Sequence, residues 1–151
     1  NPSAVGAYSP SWEVQTRYTP GADRPYEEVA YTVLPVLRQP FDREFLKERN
    51  YIAIQSMLFE RRLFEERGGF DVDMDALEDW ILWNVYAHEN VFEYVPKITS
   101  LFRTPADVTI RQRRNEIFAH TYDAARARFA ERITGLADGG GPRDVTESAL
   151  A

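Results

Sequence analysis

Residues 68–83 read Gly68-Gly69-Phe70-Asp71-Val72-Asp73-Met74-Asp75-Ala76-Leu77-Glu78-Asp79-Trp80-Ile81-Leu82-Trp83. Two glycines end one helix, a short aspartate-rich linker follows, and an acidic pair opens the next helix. Over residues 76–90, Leu77, Trp80, Ile81, Asn84, Val85 and His88 recur at i, i+3, i+4 spacing, with Leu82, Trp83 and Tyr86 widening the stripe. Asp75 followed three residues later by Glu78 has the form of a capping box. A helix buried over a broad face, with carboxylates in its first turn, is therefore predicted here.

Upstream, residues 61–67 predict a short helix with Gly68 at the C′ position, where a left-handed backbone favours glycine. Residues 51–59 form an Ile-containing apolar run that reads as a short buried strand. Asp42 stands as N-cap for a helix over 43–49. Residues 26–37 predict a short helix capped by Asp23 and ended or kinked at Pro35. Thr19-Pro20-Gly21-Ala22-Asp23 is turn chemistry. Trp12, Val14, Thr16 and Tyr18 alternate as in a strand, and residues 5–9 are β-compatible. Downstream, residues 92–95 and 98–102 predict strands around Pro96-Lys97. Pro105 then opens a helix over 106–136, and Gly139-Gly140-Gly141-Pro142 stops it before a flexible tail, residues 139–151. No internal repeat is present.

The chain has 151 residues, one domain's worth. Its residues are 44% hydrophobic and 13% aromatic, ample for a packed core. A net charge of −6 disfavours nucleic acid as a partner, and Arg111, Arg113 and Arg114 read as a solvated helix face. With no cysteine, disulfides and thiolate chemistry are excluded. No apolar run has spanning length and no signal peptide is apparent. Because Asn1 is not an initiator methionine, further upstream sequence is expected.

Asp71, Asp73 and Asp75 invite a metal reading. A calcium loop fails, because Ala76 stands where the loop needs glycine and Leu82 where it needs a bidentate glutamate. The string is read as a solvated turn plus a cap. His88 and His120 lack a second ligand at helical spacing, and no nucleophile elbow or Gly-rich phosphate loop is present.

An ordered series covers about half the chain. Leu46 and Arg49-Asn50-Tyr51-Ile52 come first, then Leu58-Phe59, Arg61-Arg62-Leu63-Phe64 and Gly68-Gly69-Phe70-Asp71. Glu78-Asp79-Trp80, Leu82-Trp83, Tyr94-Val95-Pro96, Thr99 and Leu101-Phe102-Arg103 complete it. In this order it resembles the acceptor-side, C-terminal portion of family 2 (GT-A type) glycosyltransferases. The resemblance implies an α/β fold: a partial GT-A-like mixed sheet with flanking helices and a long C-terminal helix, over residues 1–138. It implies transfer of a sugar from a nucleotide-sugar donor (UDP-, GDP- or dTDP-linked) to a hydroxyl acceptor, glycan, lipid-linked or other. It also implies inversion, and inactivity without the donor-binding half. Mg²⁺ or Mn²⁺ is expected for the complete enzyme, with ligands mostly outside this chain. The expected place is the cytoplasm, at the inner membrane face if missing parts supply an anchor.

By this resemblance the catalytic base is Asp79. Glu78 either positions an acceptor hydroxyl or caps the helix. Trp80 is either a flat apolar wall for a sugar ring or a core residue. Arg103 either faces the diphosphate leaving group or is a surface arginine. Two other readings stand beside the enzyme: a non-catalytic transferase-like module that binds protein or carbohydrate, and a helical interaction domain in which residues 51–59 and 92–102 are not paired strands.

Overall fold

The computed structural model describes residues 3–137. In chain order the elements are β1 (Ala4–Tyr8), β2 (Ser11–Tyr18), β3 (Tyr26–Thr32), α1 (Arg43–Glu48), β4 (Met57–Phe59), α2 (Arg61–Arg67), α3 (Glu78–Ala87), β5 (Val91–Tyr94), β6 (Ser100–Pro105) and α4 (Val108–Ala137). Single 3₁₀ turns occupy Pro35–Arg38 and Ile54–Ser56. The architecture is mixed α/β, with two small mixed sheets and a long C-terminal helix. The expected terminator at 139–142 and the tail lie outside the described residues. Among the described residues, no helix is long and apolar enough to cross a membrane.

The first sheet has the order β4-β1-β5, with β1 antiparallel to β4 and parallel to β5. The second has the order β3-β2-β6, with β2 antiparallel to β3 and parallel to β6. Hydroxyl pairs link the passages from β1 to β2 and from β5 to β6: Ser9 Oγ lies 2.5 Å from Thr99 Oγ1 and Ser11 Oγ 2.7 Å from Ser100 Oγ. Gly6 lets β4 approach, since a Cβ there would sit 2.7 Å from the Leu58 carbonyl oxygen. These pairings rule out the purely helical reading: β4 lies within residues 51–59, and β5 and most of β6 within or beside 92–102.

Two segments differ from expectation. Residues 26–37 are a strand and a 3₁₀ turn, not a helix. The Pro20-Gly21 turn folds β3 back on β2, closed by the Thr19 N–H donating to the Pro25 carbonyl at 2.8 Å. A segment this short gains too little from local helical bonds to offset nucleation, whereas β2 offers a ready ladder. Only the last three residues of 51–59 join a sheet, because Ile54–Ser56 coil into the 3₁₀ turn first.

Helix α3 is the centre of the core. Every residue from Trp80 to Ala87 is buried, so no polar face remains. It packs on α1, α2 and α4, while Phe59 of β4 sets its ring against Trp83 and Tyr86. A fully buried helix must still satisfy its last carbonyls. Arg43 does so at Ala87 and Asn90 (2.9 and 2.7 Å), and Arg67 at Val85 and His88 (both 2.7 Å). The one buried polar side chain in α3, Asn84, donates to Trp80 O at 2.9 Å and weakly to Leu46 O at 3.4 Å.

Helix α4 is strapped to the aspartate-rich linker. Arg132 donates to Asp71 Oδ2 (2.6 Å), to the Gly69 carbonyl (3.0 Å) and to the Arg67 carbonyl (2.8 Å), and Arg128 reaches Asp71 Oδ1 at 3.4 Å. Asp71 is thus the anchor of the linker rather than a solvated turn residue. Gly68 has φ 78° and ψ 174°, a region essentially closed to side-chain-bearing residues. The expected glycine-dependent stop is present there, although its ψ is extended rather than helical.

Candidate functional site

A cavity of about 890 Å³ opens between the second sheet and the N-terminal ends of α3 and α4. Four stretches wall it. Glu13, Phe102 and Thr104 come from the inner face of β2 and β6, and Leu34, Val36 and Leu37 from the 3₁₀ turn region. Arg49 to Gln55 contribute most of a third wall, and Arg111, Arg114 and Phe118 of α4 the fourth. Leu77 and Asp79 sit where α3 begins.

Asp79 owes its position to an irregular turn. Leu77, the residue preceding α3, has φ 64° and ψ 17°, a left-handed conformation unusual for leucine. Burial of its side chain, 5% exposed, holds it there. Asp75 makes no capping bond to α3, so the expected capping box is absent: the turn at Leu77 takes the N-cap position, without a side-chain cap. The carboxylate of Asp79 instead accepts from the Trp80 backbone N–H at 2.7 Å and from the Asn50 side-chain amide at 3.1 Å, both at Oδ1. Asn50 in turn accepts from the Ile52 N–H at 3.3 Å, which fixes its amide.

Burial raises the Asp79 pKa from the ordinary aspartate value to about 6. Asn50 and the Trp80 amide oppose that rise, and the neighbouring Glu78 charge adds to it. Position in the first turn of a helix would by itself favour the ionised form. Here desolvation exceeds the helix and hydrogen-bond effects combined. The result is a carboxylate that is mostly ionised at neutral pH yet more basic than an exposed one.

The other expected site residues are not gathered around Asp79. Glu78 is half-buried beside it but is not part of the cavity wall. Trp80 is fully buried: its indole N–H donates to Leu46 O at 2.6 Å, and Tyr122 and Phe129 pack edge-on against its rings. It is a core residue, and a sugar ring has no access to its faces. Arg103 falls on the outer face of β6, because alternation turns Phe102 and Thr104 toward the cavity and Arg103 away from it. There it pairs with Glu28 of β3 at 3.0 Å, so the cavity cations are other arginines.

Those arginines, Arg49, Arg111 and Arg114, were legible only as types. The i, i+3 spacing of Arg111 and Arg114 places both on one face of α4, but only the packing of that helix shows that this face meets the cavity. Glu13 is a second carboxylate in the wall, accepting from the Thr104 hydroxyl at 2.9 Å. Among the described residues, no group of three His, Cys, Asp or Glu side chains is placed to hold a metal ion. Comparisons with protein-family models, curated proteins and solved structures found no match to this chain.

Proposed function

We propose that this chain is the acceptor-side portion of an inverting nucleotide-sugar glycosyltransferase similar to family 2 (GT-A type), with Asp79 as the general base. The observation that carries the reading is Asp79 itself: a carboxylate in the wall of an open cavity, oriented through one oxygen, with a pKa of about 6. A sugar hydroxyl is a poor nucleophile at neutral pH. A positioned carboxylate that accepts its proton as the new C–O bond forms lowers the barrier, and a base is most effective when its pKa lies near the working pH.

In the step this supports, the acceptor oxygen attacks the anomeric carbon and its proton passes to Asp79. The bond from that carbon to the diphosphate oxygen breaks on the opposite face, and the electron pair leaves with the nucleoside diphosphate. One displacement of this kind inverts the anomeric centre. Asn50 is a positioning residue in this scheme, holding the carboxylate through its amide at the cavity wall. The divalent cation implied by the resemblance does not fit the chain's own residues: Asp71 is already engaged by two arginines, and no other acidic cluster is available among the described residues. No step above passes through it.

The test is Asp79→Asn in the complete transferase. The side chain keeps an acceptor oxygen for Asn50 and Trp80 but cannot take a proton. Turnover should fall by about a hundredfold or more while donor binding stays near the wild-type value. Turnover retained in this variant would remove Asp79 as the base.

A further inference from the structure

We infer that the acceptor taken by this cavity is a phosphate-bearing amphiphile, its phosphate held by Arg49, Arg111 and Arg114 and its apolar body by the apolar residues that line the same cavity. The role of Asp79 toward the acceptor hydroxyl rests on the reading above, whereas the phosphate site rests on the cavity alone.

Charge is the first argument. Three guanidinium groups and two carboxylates, Glu13 and Asp79, line the cavity, a local excess of one positive charge in a chain of net charge −6. The other well-packed arginines are used structurally, with Arg43, Arg67 and Arg132 each donating to two carbonyls. By contrast, the side chains of Arg49, Arg111 and Arg114 enter no ion pair among the described residues. A neutral sugar in this space would offer these three cations no counter-charge, whereas a phosphate accepts from guanidinium donors through two oxygens.

Geometry is the second. Arg111 and Arg114 project from the first two turns of α4, whose N-terminal end adds to the positive potential. The guanidinium of Arg114 stacks 5.2 Å from the Phe118 ring centroid, which limits its freedom before a ligand arrives. A planar guanidinium matches two phosphate oxygens at once, a fit that a carboxylate-lined or neutral site lacks. The same cavity is also lined by the apolar side chains of Leu34, Val36, Ile52, Ile54 and Phe102. Phosphate, apolar body and a hydroxyl within reach of Asp79 together define the ligand class.

The experiment is a calorimetric titration of the 151-residue chain with three probes. These are a short-chain lysophosphatidic acid below its micelle concentration, the monoacylglycerol of the same chain, and UDP. The phosphate-bearing lipid should bind at least about tenfold more tightly than its uncharged counterpart, an advantage that charge-assisted hydrogen bonds supply. The R111Q/R114Q double variant, altered only on the α4 surface, should lose that advantage, and R49Q should reduce it. Equal affinity for the two lipids, or a preference unchanged in the arginine variants, overturns the inference. So does tighter binding of UDP with displacement of the lipid, which would assign the arginines to the donor. Asp79→Asn should keep the phosphate preference. Turnover retained by that variant in the complete transferase, with the preference kept in this chain, would remove the base alone, and lost turnover there without the preference here would remove the phosphate site alone.

Discussion

At Asp79 two effects of opposite sign act on one proton. The helix end and two hydrogen-bond donors favour the carboxylate, and desolvation favours the acid; desolvation wins and the pKa reaches about 6. That outcome has a thermodynamic consequence. Because the folded-state pKa is raised, the folded chain binds this proton more tightly than the unfolded chain does. The stabilisation this brings is fully present below the unfolded value, near pH 4, and is lost as pH rises through about 6. Asp79→Asn removes the titration while keeping the acceptor oxygen. It should therefore be more stable than wild type by about 3 kcal/mol at pH 7, with the difference shrinking toward zero below pH 4. Urea unfolding of both proteins at several pH values measures this. A variant less stable than wild type at pH 7 would mean that the carboxylate is a structural cap. The acidic pair and its helix start were readable from Glu78-Asp79-Trp80, but which effect governs the proton was not. Burial depends on Leu77 and on the loop carrying Asn50, 29 residues away in sequence.

Between elements, a strap ties α4 to the linker ahead of α3. Arg132 closes three bonds there and is 15% exposed at its side chain, against 16% for Asp71. Arg132→Met should cost about 2–3 kcal/mol, less than a fully orphaned buried charge, because Arg128 still reaches Asp71. The urea midpoint should fall accordingly, and an unchanged midpoint would show that the linker is held by other contacts. The strap was not legible, since Asp71-Val72-Asp73-Met74-Asp75 looks like a solvated turn until α4 folds over it. Helix α2 and its glycine stop were legible, and so was the Asp42 cap, where the Phe45 N–H donates to the aspartate at 3.0 Å. These features depend on neighbours within four residues. The failure at residues 26–37 has the opposite cause: the pairing of β3 with β2 outweighs the local helical pattern.

Across the molecule, protection is expected to be uneven. Helix α3 is enclosed on all sides and its C-terminal carbonyls are held by Arg43 and Arg67. The first half of α4 carries exposed Val108, Ile110 and Ile117, and the two buried residues of that helix, Ala125 and Phe129, lie in its second half. Amide hydrogen exchange should thus be slowest in α3, opening only with global unfolding, and faster over the first three turns of α4. Equal protection in the two segments would contradict this distribution of packing. Local pattern, read from the chain alone, determines α1, α2, α3, most of the strands and the long last helix, because caps, glycine stops and apolar periodicity act over a few residues. The resemblance to family 2 glycosyltransferases, carried by the ordered series along the chain, is what marks Asp79 as a candidate base. Tertiary structure decides that Trp80 is core, that Arg103 faces away, and that Arg49, Arg111 and Arg114 meet Asp79 around one cavity. Those outcomes depend on how remote elements pack and on how much water they exclude, and no short stretch of sequence contains that information.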